Sequence, residues 1–147
     1  SLYRSKHELV FVYKNGKGSH TNNVELGSKG RYRTNVWDYA GVNTFKNKEL
    51  LKLHPTVKPV ELIWDAILDV SKRDDIVLDS FLGSGSTLIA CEKAHRVCYG
   101  IELEPVYIDT TIRRWEELTK SDAIRISDGK PYKELLAEKL AGGQNGK

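Results

Sequence analysis

Two carboxylates and a glycine-rich turn carry most of the chemistry legible in this sequence. Asp79 ends the apolar run Ile76-Val77-Leu78, and Glu102 ends Cys98-Tyr99-Gly100-Ile101. Between them lies Ser80-Phe81-Leu82-Gly83-Ser84-Gly85-Ser86-Thr87. Gly83 and Gly85 permit backbone angles and a closeness of approach that a Cβ forbids. Ser84, Ser86 and Thr87 place hydroxyls and bare N–H groups at the start of the next helix, where a carboxylate or phosphate is stabilised. Two strand-end acids with a glycine turn between them fit a nucleoside ligand lying across the ends of a parallel sheet.

Three ligands compete for such a turn. A nucleoside triphosphate calls for Gly-x-x-x-x-Gly-Lys-Ser/Thr, and the lysine is missing here. A dinucleotide calls for Gly-x-Gly-x-x-Gly, and Gly83-Ser84-Gly85 is followed by Leu88 where the third glycine belongs. S-adenosylmethionine has no phosphate; it needs a close approach for its methionine part and an acid for its ribose hydroxyls. Asp79, Gly83, Gly85 and Glu102 meet that need, with Glu102 about 20 residues beyond the loop, the usual distance of a ribose-binding acid. A carboxylate there accepts both ribose O–H groups. The competing reading of Glu102 is a helix-capping acid.

Several elements must position these residues. Glu8-Leu9-Val10-Phe11-Val12-Tyr13 reads as a strand buried on both faces, closed by the turn Lys14-Asn15-Gly16-Lys17-Gly18. From Ser19 to Lys52 periodicity fades; Lys29, Arg31, Arg33, Lys46 and Lys48 are interleaved with Tyr32, Trp37, Tyr39 and Phe45. Cations contact phosphates and aromatics stack on bases, although an irregular surface loop explains the same composition. His54-Pro55-Thr56-Val57-Lys58-Pro59 is stiff, and Pro59 suits the first turn of a helix through Val60, Ile63, Trp64, Ile67, Leu68 and Val70. A second helix follows the glycine turn, His95-Arg96 turns the chain into a strand over Val97 to Ile101, and Glu104-Pro105 opens a third helix. Val106, Ile108, Ile112, Trp115 and Leu118 are its expected buried face, with Arg113 and Arg114 on the solvated one. Beyond Thr119 definition is lost apart from a short helix near Lys133 to Leu140, and Ala141 to Lys147 reads as a flexible tail. Strand, glycine loop, helix, strand and helix make an α/β unit of a parallel sheet.

Composition sets the outer limits. A chain of 147 residues with 39% hydrophobic and 29% charged residues folds as one ordinary domain. No apolar run reaches the length of a membrane helix, and no secretory signal opens the chain. Cys91 and Cys98 lack metal-ligand spacing and read as reduced thiols of a cytosolic protein, and no metal site is expected. A net charge of +3 is too small to prove nucleic-acid binding.

Taken together, His54-Pro55-Thr56-Val57-Lys58-Pro59, then Leu78-Asp79-Ser80-Phe81-Leu82-Gly83-Ser84-Gly85-Ser86-Thr87, then Gly100-Ile101-Glu102 resemble the bacterial DNA amino-methyltransferases of the beta arrangement, which methylate adenine N6 or cytosine N4. Asn35-Val36-Trp37-Asp38-Tyr39 and Arg113-Arg114-Trp115 look like the branch that often carries an upstream ParB-like domain. The resemblance covers most of Leu2 to Leu118 and implies a partial Rossmann-like class I methyltransferase fold with a mostly irregular target-recognition insertion. In these terms residues 1–18 are a strand and turn of the core, 19–53 the target-recognition region, 54–120 the cofactor-binding βαβ core and 121–147 an extension and tail. The resemblance implies S-adenosylmethionine contacts at Asp79, Ser80, Phe81, Gly83, Ser84 and Gly85, ribose binding by Glu102, and a lining of the methionine end by His54, Thr56, Lys58 and Pro59. It implies double-stranded DNA as partner, met by Lys29, Arg31, Arg33, Lys46 and Lys48.

Two substitutions depart mildly from that family pattern: Ser80 stands where Pro is usual and Ser86 where Thr is usual. A larger departure is the missing Asp/Asn/Ser-Pro-Pro-aromatic loop that holds a flipped base. No catalytic residue is therefore assigned in this chain; the loop is expected upstream of Ser1, in an N-terminal part of the same protein, and the chain alone is expected to be inactive. Adenine is favoured over cytosine from the branch resemblance alone. The expected setting is the bacterial cytoplasm, near the nucleoid, with no membrane partner and a homodimer admissible. The alternatives are a non-catalytic nucleic-acid-binding fragment, or a methyltransferase acting on RNA, protein or a small molecule.

Overall fold

The computed structural model describes residue 2 and residues 7–40 and 57–143. Among these, a helix α1 (Val60–Val70) leads into strand β1 (Ile76–Asp79), helix α2 (Ser86–Ala94), strand β2 (Val97–Gly100), helix α3 (Pro105–Thr119) and helix α4 (Tyr132–Gly143). β1 and β2 pair in parallel, Ile76 opposite Val97 and Asp79 opposite Gly100, so β1-α2-β2 is a βαβ unit, as the order of sequence signals predicts.

The core lies between α1, α2 and one face of the two strands. Ile67, Ala90, Cys91 and Ala94 are buried there, with Val60, Ile63, Trp64, Leu68, Val77 and Cys98 packed around them. The apolar positions of α1 recur every three or four residues, which places them on the one side that meets α2. Pro59 sits at the N-cap with an extended backbone, one position earlier than the first-turn place predicted for it. Cys91 and Cys98 form no disulfide; a hydrogen bond to the Cys98 sulfur, together with burial, holds the Cys91 thiol well above its ordinary pKa. The second face of the strands is bare: Ile76, Leu78, Val97 and Tyr99 are exposed.

Three expectations need correction. The segment Glu8 to Tyr13 is not a strand. It is irregular and exposed, with the Phe11 and Tyr13 rings stacked at 6.4 Å. Its side chains suit a sheet, but a strand needs a ladder, and no partner for it stands among the described residues. The buried residues of α3 are Thr110 and Thr111, whereas Val106 and Leu118 are exposed. Finally, the chain stays ordered beyond Thr119. An antiparallel bridge joins Ile124 to Pro131, the Ala123 amide donates to Glu116 at 2.8 Å, and α4 runs through the glycines expected to begin a tail. Ion pairs hold this part together, among them Arg125 with Asp128 and Lys133 with Asp122, and hydrophobic periodicity does not register them.

The region from Asn22 to Tyr39 is irregular, as expected, yet it is fastened to the C-terminal half of α1. The Asn23 amide donates to the carbonyls of Leu68 at 2.7 Å and Ser71 at 2.8 Å, satisfying groups that a helix end leaves orphaned. Arg33 meets Asp69 at 2.7 Å and Asp65 at 3.5 Å, stacks 5.2 Å from the Trp37 ring, and the Tyr39 hydroxyl donates to Asp65. Desolvation, with the neighbouring Asp65, raises the Tyr39 pKa. Replacing Arg33 leaves two acids without their cation. Arg33→Gln is expected to cost about 1–3 kcal/mol in urea unfolding and to open residues 24–36 to limited proteolysis; unchanged stability together with unchanged cleavage refutes this fastening.

Candidate cofactor site

The turn after β1 is built from its acid outward. Asp79 Oδ1 accepts from the Phe81 amide at 2.9 Å, which bends the chain as soon as the strand ends. The Leu82 amide then donates to the Ile101 carbonyl at 2.9 Å. Its side chain fills the space above Gly100, where an added Cβ would lie 2.5 Å from Leu82 Cδ2. Gly83 and Gly85 both adopt positive φ, +54° and +81°, and Gly85 caps α2 in the left-handed conformation. These are the conformations that favour glycine.

Glu102 reaches back across the sheet edge to this turn. Its Oε2 accepts from the Gly83 amide at 2.7 Å and its Oε1 from the Glu104 amide at 2.9 Å. Glu102 therefore ties the β2 end to the glycine loop and also steadies the approach to α3. On the other flank, Ser86 Oγ donates to the Lys58 carbonyl at 3.0 Å, joining the Pro-rich segment to the start of α2. Lys58 Nζ meets both carboxylate oxygens of Glu8 at 2.7 Å on the surface.

These contacts frame a cleft of about 400 Å³ lined by Lys58, Asp79, Phe81, Gly83, Ser84 and Glu102, together with Val57, Leu82, Ser86, Thr87 and Tyr107. That volume lies within the general range of small-ligand sites, about 300–1,000 Å³. Phe81 is 90% exposed, an aromatic face with no protein against it. A smaller hollow of about 260 Å³ is lined by Val60, Glu61, Trp64 and Lys93 and shares no residue with the cleft. Among the described residues no group of three or more His, Cys, Asp or Glu is arranged to hold a metal ion.

Six of the expected cofactor residues thus line one cleft. Pro59 caps α1, Gly85 stands behind the loop at the cap of α2, and Ser80 is exposed outside the lining. His54, Thr56, Lys46 and Lys48 lie outside the described residues. Among the expected DNA contacts, Arg31 is exposed and has no ion pair among the described residues, and Lys29 pairs with Glu25 on the surface at 2.9 Å. Arg33 departs from its expectation: two acids on α1 hold it partly buried, so in this structure its charge is directed at α1.

Sequence reasoning missed the contribution of α3. Thr111 Oγ1 donates to the Gly83 carbonyl at 3.1 Å. Arg114 is half-buried and donates to the Ser84 carbonyl and, at 3.2 Å, to Ser84 Oγ; its burial lowers the guanidinium pKa. The available signal was the i, i+3 spacing of Thr111 and Arg114, which puts both on one face of the helix after the second acid.

A family model for DNA methylases matches residues 2–113. The chain is 32% identical over 114 residues to the type II methyltransferase M2.MboI of Moraxella bovis, covering 76% of this chain and 41% of that protein. It is 34% identical over 116 residues to M.HinfI of Haemophilus influenzae, covering 77% of this chain and 30% of that one. The chain thus spans well under half the length of these relatives. Among solved structures, the M1.HpyAVI complex with SAM is 43% identical over 42% of this chain and 31% of its own, with a TM-score of 0.41.

Gly85 is closely packed against α3. A Cβ there would sit 2.6 Å from Thr111 Cγ2 and 2.8 Å from its Oγ1, at a φ of +81°. Gly85→Ala is expected to lose about 1–2 kcal/mol from the left-handed backbone alone, and more from the overlap. Adding Thr111→Ala should recover the overlap and leave the backbone cost, as a double-mutant cycle in chemical denaturation would resolve. A neutral Gly85→Ala contradicts the geometry.

Proposed function

Because the chain belongs to the DNA methylase family, we propose that it is the cofactor-binding and target-recognition part of a site-specific DNA methyltransferase acting on an exocyclic amino group, with adenine N6 favoured. The supporting observation is the cleft in which Asp79 and Glu102 flank the Gly83-Ser84-Gly85 turn. S-adenosylmethionine, when bound, supplies a methyl group on a positively charged sulfur that leaves readily. The donor set fits it: an acid, a close backbone approach without Cβ atoms, and a lysine at the mouth.

In this reading Glu102 holds the ribose. Its two oxygens accept the backbone N–H groups of Gly83 and Glu104, which fixes the carboxylate at the loop edge where a ribose O–H is to be received. Lys58 exchanges the exposed carboxylate of Glu8 for that of the methionine end. Phe81 gives its exposed ring to the adenine. Orientation and exclusion of water by these groups contribute to the rate by holding the methyl carbon in line with the attacking nitrogen.

The base itself is held by a catalytic loop on an N-terminal part of the same protein, so this chain alone is inactive. The bare face of β1 and β2 is consistent with that division, since parallel sheets are covered on both faces. Lys29 and Arg31 meet double-stranded DNA from the Arg33-fastened segment, and Lys46 and Lys48 are further contacts to it. The enzyme works in the bacterial cytoplasm as a monomer or homodimer.

Calorimetric titration of the complete protein with S-adenosylhomocysteine tests the cofactor assignment. Glu102→Gln is expected to weaken binding about 10- to 100-fold, the worth of hydrogen bonds to a charged group. Absence of binding to the unaltered protein, or unchanged affinity in the variant, rejects the site. Sequence-specific DNA methylation by residues 1–147 alone rejects the division of labour.

A further inference from the structure

Two side chains on one face of α3 grip two consecutive carbonyls of the glycine turn: Thr111 takes that of Gly83, and Arg114 takes that of Ser84. A peptide unit is planar and trans, so its N–H points opposite to its C=O. Turning the Gly83 carbonyl toward α3 therefore turns the Ser84 N–H away from α3. The Gly85 N–H, in the next peptide unit, is spent on the Leu82 carbonyl at 2.9 Å. The Ser84 N–H has no acceptor among the described residues, and Gly83 and Ser84 both line the cleft.

Arg114 is unusual in a second way. It is half-buried, yet no carboxylate lies within ion-pair distance of it among the described residues; its partners are the Ser84 carbonyl and hydroxyl. Withdrawing a cation from water without an anion is costly, and the charge-assisted bonds to Ser84 offset only part of that cost. The positive charge stands behind the turn, on the α3 side, and Arg114 is not part of the cleft lining. A bound anion in the cleft would gain from it through the turn, together with the N-terminal end of α2.

We propose that Thr111 and Arg114 are positioning residues that aim the Ser84 N–H and a positive potential at the carboxylate of the bound cofactor. This deepens the methyltransferase reading and rests on it. The pair does not touch the ligand. It fixes the peptide planes of the turn before the ligand arrives, which lowers the ordering cost of binding.

The test compares two ligands on the complete protein by calorimetry: S-adenosylhomocysteine, which carries the amino-acid carboxylate, and 5′-methylthioadenosine, which keeps the adenosine and lacks the amino-acid end. Arg114→Gln is expected to weaken S-adenosylhomocysteine about tenfold while changing methylthioadenosine less than twofold, and Arg114→Lys should recover part of the loss. Thr111→Val, which keeps the volume and removes the hydroxyl, should move the affinities in the same direction, with Thr111→Ser restoring them; this pair keeps the test decisive where Arg114→Gln does not fold. Equal loss for both ligands, or no loss for either, overturns the proposal. An unaltered protein that binds neither ligand overturns the methyltransferase reading, and this proposal with it.

Discussion

The site depends on one carboxylate that bridges two strand ends. Parallel pairing in the register Asp79 to Gly100 brings the ends of β1 and β2 to the same edge, but the pairing stops there. Past that register the backbone bonds from the Ile101 amide to the Asp79 carbonyl and from the Leu82 amide to the Ile101 carbonyl lead into the turn, and neither reaches the Gly83 amide or the approach to α3. Glu102 reaches both, with one oxygen on the Gly83 amide and the other on the Glu104 amide. Because both of these donors are backbone groups, the bridge holds the main chain itself. Hydrogen bonds to a charged acceptor are roughly twice as strong as neutral ones. Remove the carboxylate and two N–H groups lose their acceptor at once.

The glycines make sense only against this frame. Gly83 must turn its amide to Glu102 and its carbonyl to Thr111, and Gly85 must pass within contact of the Thr111 side chain. A side chain at Gly85 would displace α3, and with it the two donors that orient the turn. Small residues here are therefore a requirement of packing between α3 and the loop as much as of access for a ligand. Thr111 on the inner face of α3 follows from the same demand, whereas the Thr110 hydroxyl donates within the helix to the Val106 carbonyl at 3.0 Å. A loop that exposes carbonyls to a helix needs donors on that helix, which aliphatic side chains cannot give.

Much of this architecture was legible in the sequence because it is local. The α1 stripe from Val60 to Leu68, the short runs of β1 and β2, the glycine turn and Pro105 at the head of α3 all announce themselves by period or by turn chemistry. What escaped depends on partners distant along the chain. Glu8 to Tyr13 has the composition of a strand, and composition cannot say whether a ladder is present. Arg33 looks like a phosphate ligand until Asp65 and Asp69, more than 30 residues on, are folded beside it. Arg114 reads as solvated face because its partner is a backbone carbonyl, and every residue has one of those. The ordered stretch after Thr119 is held by turn hydrogen bonds, the Ile124–Pro131 bridge and surface ion pairs, with little apolar pattern to betray it.

The same two strands serve the cleft and the bare apolar face, which couples the site to whatever covers that face. Val77 and Cys98 pack against the helices, while Ile76, Leu78, Val97 and Tyr99 stand on the opposite side. A two-stranded sheet with one face in water is weakly held. Yet its ends carry Asp79 and lead directly to Glu102, whose placement defines the cleft. Covering the bare face buries apolar area and narrows the range of strand positions, so the ordering cost met by a ligand in the cleft falls. By linkage, a ligand that draws Asp79 and Glu102 into one arrangement stabilises the covered state by the same amount. The cleft and the bare face are thus joined through four residues of β1 and four of β2.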